Sequence, residues 1–366
     1  MTFDTLGTIG SYGLPGAAPV SIGPLGAPEW GSLLRAAVDQ RAVPLVAHAA
    51  AGGCLETSSA QWDELTSMNE QSMHACVRLE RAALEVVWVL RGAGIPHRLL
   101  KGAAVAHLDY PDASWRAFGD VDVLVRADRY DDAIHVLERL GGRRRYSEVR
   151  PGFDSRWGKG ACVVLDRGVQ VDVHRSFVAG PFGLTIDLND LFAVSEAVLL
   201  GGVEVDVLSR EHRLLHACYH ALLGDAPARL VPLRDVAQMA LSGTRDWEEL
   251  WGCASRWHSR AVVARAMHAS ATAMNVILPE PARSWTVDYV ADRFEARSLD
   301  AYLGPGRSYA RQMAAGVHAV RGLGAKLAYV RSMLAVDADY ARRHDGGYRR
   351  RVQRAWRAQR SAGAAR

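Results

Sequence analysis

At 366 residues the chain is longer than one compact core of ordinary size needs, so two or more folding units are expected. Its 49% hydrophobic and 23% charged residues exclude a disordered or fibrous chain. A net charge of only +4 gives no basis for extensive binding to duplex nucleic acid.

The first 28 residues, rich in glycine and proline without periodicity, read as a flexible leader. They lack the basic start and continuous apolar run of a signal peptide, and no stretch has the length of a membrane span. Cys54, Cys76, Cys162, Cys218 and Cys253 are scattered with no CxxC pair, which fits a reducing compartment and a cytoplasmic protein. From 29 to 94 the chain reads as helical. In "MHACVRLERAALEVVWVLRGAG", Leu79, Ala83, Val86, Val87 and Leu90 recur at helical spacing before two glycines.

The period then changes. "IPHRLL" (95–100) reads as a short buried strand, and "KGAAVAHLDY" as a turn entering a helix. "DVDVLV" is a second strand, and "RYDDAIHVLERLGG" an amphipathic helix stopped by Gly141 and Gly142. "CVVLDRGVQVDVHRSF" reads as two strands about the turn Asp166-Arg167-Gly168. This order predicts a mixed α/β (α+β) fold, a small mixed sheet with helices packed on it. Beyond residue 209 the segments "SREHRLLHACYHALL", "VPLRDVAQMALS", "DWEELWGCASRW" and "SRAVVARAMHASATAMNVILP" return to helix, as does "GAKLAYVRSMLAV". From Tyr340 onward nine arginines face the single acid Asp345. That tail suits a solvated helix with a frayed end, or contact with RNA, a membrane surface or an acidic partner.

Three stretches carry the chemistry. Lys101-Gly102-Ala103 puts a glycine and a cation where a strand runs into a helix start, a place that favours phosphate. Alternation along a strand sends Asp120 and Asp122 to one face, with Arg116 just upstream to pair with an acid, Asp120 included, or to meet phosphate. Asp172 and His174 share a face of a later strand while Val171 and Val173 fill the other. If the two strands are neighbours, Asp120, Asp122 and Asp172 converge. Three hard oxygen ligands suit Mg2+ or Mn2+ better than zinc or calcium. His174 reads as a hydrogen-bonded partner orienting Asp172 or a structural residue. His212, His216 and His220 line one helix face, but without a carboxylate at ligand spacing they read as packed histidines. Trp247, Trp251 and Trp257 read as core.

The order "LLKGAA", "GDVDVLV", "VQVDVH" resembles the nucleotidyltransferases of the DNA polymerase beta type. It looks closest to a bacterial family called uncharacterised nucleotidyltransferases, over roughly residues 70 to 360. The resemblance implies metal ligation by Asp120, Asp122 and Asp172, with Asp172 also helping to take the proton of the acceptor hydroxyl. It implies that Gly102 and Ala103 cradle the triphosphate. Where the superfamily often has serine, Ala103 leaves phosphate contact to the backbone, Lys101 and Arg116. The implied reaction is attack by a hydroxyl or other nucleophile on the α phosphorus of a nucleoside triphosphate, with pyrophosphate leaving. The acceptor is left open between a small molecule, a peptide or protein, and RNA. A nucleotide-binding protein without turnover and transfer of the γ phosphoryl group on the same scaffold are the competing readings. The expected organisation is a leader (1–28), a helical region (29–94), a nucleotidyltransferase core (95–208), a helical accessory domain (209–339) and a basic tail (340–366).

Overall fold

A computed structural model describes residues 2–334 apart from residue 244. The arginine-rich tail, read above as a possible contact for an acidic partner, lies outside the described residues. The fold is α+β: one seven-stranded mixed sheet with helices on both faces. In chain order the strands are β1 (His97–Leu100), β2 (Val121–Val125), β3 (Arg143–Arg144), β4 (Gly160–Val164), β5 (Gln170–His174), β6 (Ser195–Leu200) and β7 (Val203–Leu208). They lie side by side as β3-β4-β5-β2-β1-β7-β6. The β2–β5 and β1–β7 pairs are parallel and the rest antiparallel.

Alternation explains both faces of this sheet. Val121, Val123 and Val125 of β2 and Val171 and Val173 of β5 pack with Leu79, Val86 and Leu90 of the helix Ser59–Gly92. The helix Tyr130–Arg139 closes that face with Ala133, Ile134 and Leu137. The long helix starts earlier than its apolar pattern suggested because Ser58 caps it: Gln61 N donates to Ser58 Oγ, and Ser58 N donates to Gln61 Oε1. On the opposite face Leu100 and Leu124 meet the helices Arg210–Tyr219 and Leu230–Leu241. Asp122, Asp172 and His174 belong to this second face by parity, so the carboxylates point toward the later helices.

Two sequence expectations are corrected. The stretch read as a flexible leader carries a helix, Thr2–Gly10, whose Leu6 and Ile9 are buried with Trp30 and Leu33. Gly10 makes this fit possible. A Cβ there would stand 3.0 Å from Leu230 and 3.3 Å from Met274, and its carbonyl accepts from Arg234 Nη1. The second correction is the hairpin β6–β7, which no strand reading covered. Its turn is Gly201-Gly202, with φ of +53° and +83°, conformations that favour glycine.

Gly160 controls the approach of β4 to β5, because a Cβ on it would sit 2.2 Å from the carbonyl oxygen of Val173. Gly160→Ala is therefore expected to destabilise the fold by about 1–3 kcal/mol through overpacking. Urea unfolding of the two proteins tests this, and an unchanged midpoint would refute it.

Candidate active site

β1 delivers the chain to an unusual turn. Lys101 has φ +42° and ψ −141°, a strained position for a residue with a Cβ, and Gly102 follows at φ +35°. A side chain on Gly102 would meet the ring of Phe118 at 3.4 Å. The turn leads into the helix Gly102–Asp109, whose first N–H groups have no partner within the helix. The Ala103 side chain is buried in the core beneath the sheet, so only its backbone faces the turn.

The turn aims Lys101 across to β2. Its ammonium lies 2.8 Å from Asp122 Oδ1, and the neutral ring of His174 donates from Nε2 to the same oxygen at 2.6 Å. Parallel pairing of β2 with β5 sets Asp122 beside Asp172 and Leu124 beside His174. Asp122 is only 2% exposed, yet it stays ionised. Burial pushes its pKa up, but the charge of Lys101 and the hydrogen bond from His174 outweigh burial and hold it well below the usual carboxylate range. Lys101 responds in kind: burial opposes its charge, and Asp122 raises its pKa regardless. Burial, then the charge of Lys159, lowers the pKa of His174. With Nε2 donating, Nδ1 of His174 carries a lone pair that is buried without a hydrogen-bond partner among the described residues.

Asp122, Asp172 and His174 bring one ligand atom each within 4.8 Å of one another, the one group of this kind found among the described residues. Two neighbouring carboxylates fit a divalent cation, and the imidazole can join them through Nε2 only by giving up its proton and its bond to Asp122. The ammonium of Lys101 on Asp122 shows that this oxygen already stabilises positive charge. The set differs from the expected one, since His174 joins the group and Asp120 stands outside it. Asp120 precedes β2, is one-third exposed, and lies 3.9 Å from the guanidinium of Arg41. Burial, then the neighbouring Asp122, raises its pKa. Asp120 and Asp122 do share a cleft with Lys101, Gly102, Arg41 and Arg229.

Arg116, expected to pair with a nearby acid or to meet phosphate, pairs with Asp235 rather than Asp120. Its Nε and Nη2 donate to the two oxygens of Asp235 at 2.8 and 2.7 Å, and Nη1 donates to the Gly102 carbonyl at 3.2 Å. It therefore braces the Lys101-Gly102 turn from behind. Two of the three histidines of the later helix pack as expected, His216 stacking on Phe177 and His212 on Trp257, whereas His220 lines the cleft. Trp257 is fully buried, whereas Trp247 and Trp251 are partly buried beside Trp285. Two further residues near the carboxylates carried little or no sequence signal. Arg41 comes from the early helical region, and nothing in its surroundings marks it. Lys159 had one mark, the scarcity of lysine in an arginine-rich chain.

Residues 26–275 match the model of a protein family described as uncharacterised nucleotidyltransferase. No curated protein matches the chain. Among solved structures, the chain is similar to the lincosamide antibiotic adenylyltransferase LnuA, solved with lincomycin bound. The identity is 14%, covering 43% of this chain and 92% of that one, with a TM-score of 0.30. It is similar to an antigenic nucleotidyltransferase-like protein from Paracoccidioides brasiliensis at 16% identity, covering 56% and 94%, with a TM-score of 0.33. It is also similar to the antibiotic-resistance factor ANT(2'')-Ia at 12% identity, covering 51% and 96%, with a TM-score of 0.35.

Proposed function

The chain belongs to the family of uncharacterised nucleotidyltransferases, and from that premise we propose that it moves a nucleoside monophosphate from a nucleoside triphosphate to an acceptor in a reaction that depends on Mg2+ or Mn2+. The observation that carries the reading is the register of β2 and β5, which sets Asp122 and Asp172 side by side next to the Lys101-Gly102 turn. A divalent cation held by Asp122 and Asp172, with Asp120 or His174 completing the set, would supply charge neutralisation at the phosphates.

The chain's own residues do the positioning. Backbone N–H groups at the start of the helix Gly102–Asp109 and the Lys101 ammonium offer donors to phosphate oxygens. Arg41 and Arg229 add cations along the same cleft. Asp172, half-buried, takes the proton as the acceptor oxygen attacks the α phosphorus. The new O–P bond forms as the bond to the β-phosphate oxygen breaks, and that electron pair leaves with pyrophosphate. In-line positioning and charge neutralisation account for the protein's share of catalysis. The acceptor is a hydroxyl or other nucleophile on a small molecule, a peptide or protein, or RNA. Among the described residues no helix is long and apolar enough to cross a membrane. All five cysteines are free, and a cytoplasmic location is proposed with the function.

The test is a screen of the four nucleoside triphosphates, labelled at the α phosphate, against bacterial cell extract with and without EDTA. Transfer of label that EDTA abolishes is the expected result. Label left wholly on released nucleoside diphosphate, with none on an acceptor, would replace the reading with phosphoryl transfer from the γ position. Nucleotide binding without any transfer would replace it with a nucleotide-binding protein.

A further inference from the structure

Of the three lysines in the chain, Lys101 pairs with Asp122, and Lys159 lies within electrostatic reach of the same carboxylates without pairing with any of them. Lys159 lies between Gly158 and Gly160 at the entry to β4. Its backbone is fixed just beyond His174: its carbonyl accepts from Arg175 N at 2.8 Å and Ser176 N at 3.1 Å. The Gly158 carbonyl accepts from Arg175 Nε at 2.9 Å. The side chain feels the charges of Asp122, Asp172 and Asp120 together with those of Lys101 and His174. Among the described residues, though, no carboxylate lies within ion-pair distance of its ammonium and no hydrogen bond satisfies it. Burial, then repulsion from Lys101, lowers its pKa.

An ammonium beside a carboxylate cluster with no counter-ion of its own is open to a ligand. Asp122 cannot be that ligand, since it is already occupied by Lys101 and His174, and none of the other carboxylates pairs with Lys159 among the described residues. A divalent cation cannot be it either, because the charges repel. An anionic oxygen brought in by the substrate satisfies the geometry and the sign at once. We propose that Lys159 is a nucleotide-binding residue whose ammonium takes an oxygen of the substrate's polyphosphate. This assignment rests on the nucleotidyltransferase reading above. Lys159 and Lys101 then clasp the phosphates from the β4 and β1 sides, while the carboxylates lie between them.

Titration calorimetry with the full chain, Mg2+ and the non-transferable probe α,β-methylene-ATP, or the analogue of whichever base binds best, tests this directly. Lys159→Met is expected to weaken binding roughly tenfold or more, as removal of a charge-assisted hydrogen bond does. Lys159→Arg is expected to recover most of that loss. Mn2+ affinity without nucleotide should be unchanged or tighter in Lys159→Met, because a neighbouring positive charge has gone. Binding by Lys159→Met within twofold of wild type would overturn the assignment and leave the nucleotidyltransferase reading standing. Failure of the wild-type chain to bind any of the four analogues would overturn that reading, and the assignment with it. Lysine acetylation followed by mass spectrometry gives the same answer without a variant. The Mg2+–nucleotide probe should protect Lys159 and leave Lys326, on the helix Leu323–Leu334, unaffected. Equal loss of labelling at both lysines would count against a specific contact.

Discussion

Asp172→Asn is expected to lower nucleotide transfer by about three orders of magnitude while leaving the fold nearly as stable as before. Metal-assisted stabilisation of transferring phosphates is worth several kcal/mol, and each 1.36 kcal/mol is about a factor of ten in rate. The side chain is half-buried, and among the described residues it has no ion pair that asparagine would break. Asparagine keeps the shape, so the pairing with Asp122 across β2 and Cys162 across β4 persists. Asp122→Asn differs in kind. It leaves the Lys101 ammonium facing a neutral amide in a buried place, so stability falls together with activity. Measuring transfer rate, melting temperature and Mn2+ affinity for both variants separates the two roles. Transfer by Asp172→Asn within tenfold of wild type would refute the metal reading of this site.

The pair of variants also marks how far local pattern reaches. Period-two alternation in "DVDVLV" and "VQVDVH" was sufficient to place Asp122, Asp172 and His174 on one face. Asp120 obeys the same alternation but sits one residue before β2 begins, where the chain bends toward Arg41. Alternation cannot show where a strand stops. The role of His174 was likewise hidden, because its bond is made across the sheet to Asp122 rather than along its own strand to Asp172. Parity gives faces, whereas contacts need the register between strands.

Residues from remote segments were the least legible. Arg41 reaches the cleft from a helical region that precedes the sheet by more than fifty residues, and local spacing says nothing about such a meeting. The early glycine-rich stretch misled for a related reason. Glycine and proline lower local propensity, but Leu6, Ile9 and Leu14 have a tertiary surface to bury against. The hairpin β6–β7 could have been read, since "VLLGGVEVDVL" alternates on both sides of a double glycine.

Arg116 shows the same limit with the largest structural consequence. Arg116→Ala is expected to cost about 3–5 kcal/mol of folding stability, because it leaves the Asp235 carboxylate buried and uncompensated. Both side chains are about 5% exposed or less. Burial on its own would lower the Arg116 pKa, and Asp235 overrides burial to raise it. The Tyr110 hydroxyl also donates to Asp235 Oδ1 at 2.8 Å, which leaves a hydrogen bond but no ion pair in the variant. Lysine in place of Arg116 restores charge but not the two parallel bonds to Asp235, and the third bond to the Gly102 carbonyl is lost as well. Arg116→Lys should therefore recover only part of the stability and should loosen the Lys101-Gly102 turn. The decisive comparison is the double variant Arg116→Met with Asp235→Leu. With neither member of the pair left behind, it should regain most of the loss while nucleotide binding stays impaired, since nothing then holds the Gly102 carbonyl. Stability and binding that return together in the double variant would show that Arg116 serves the core alone.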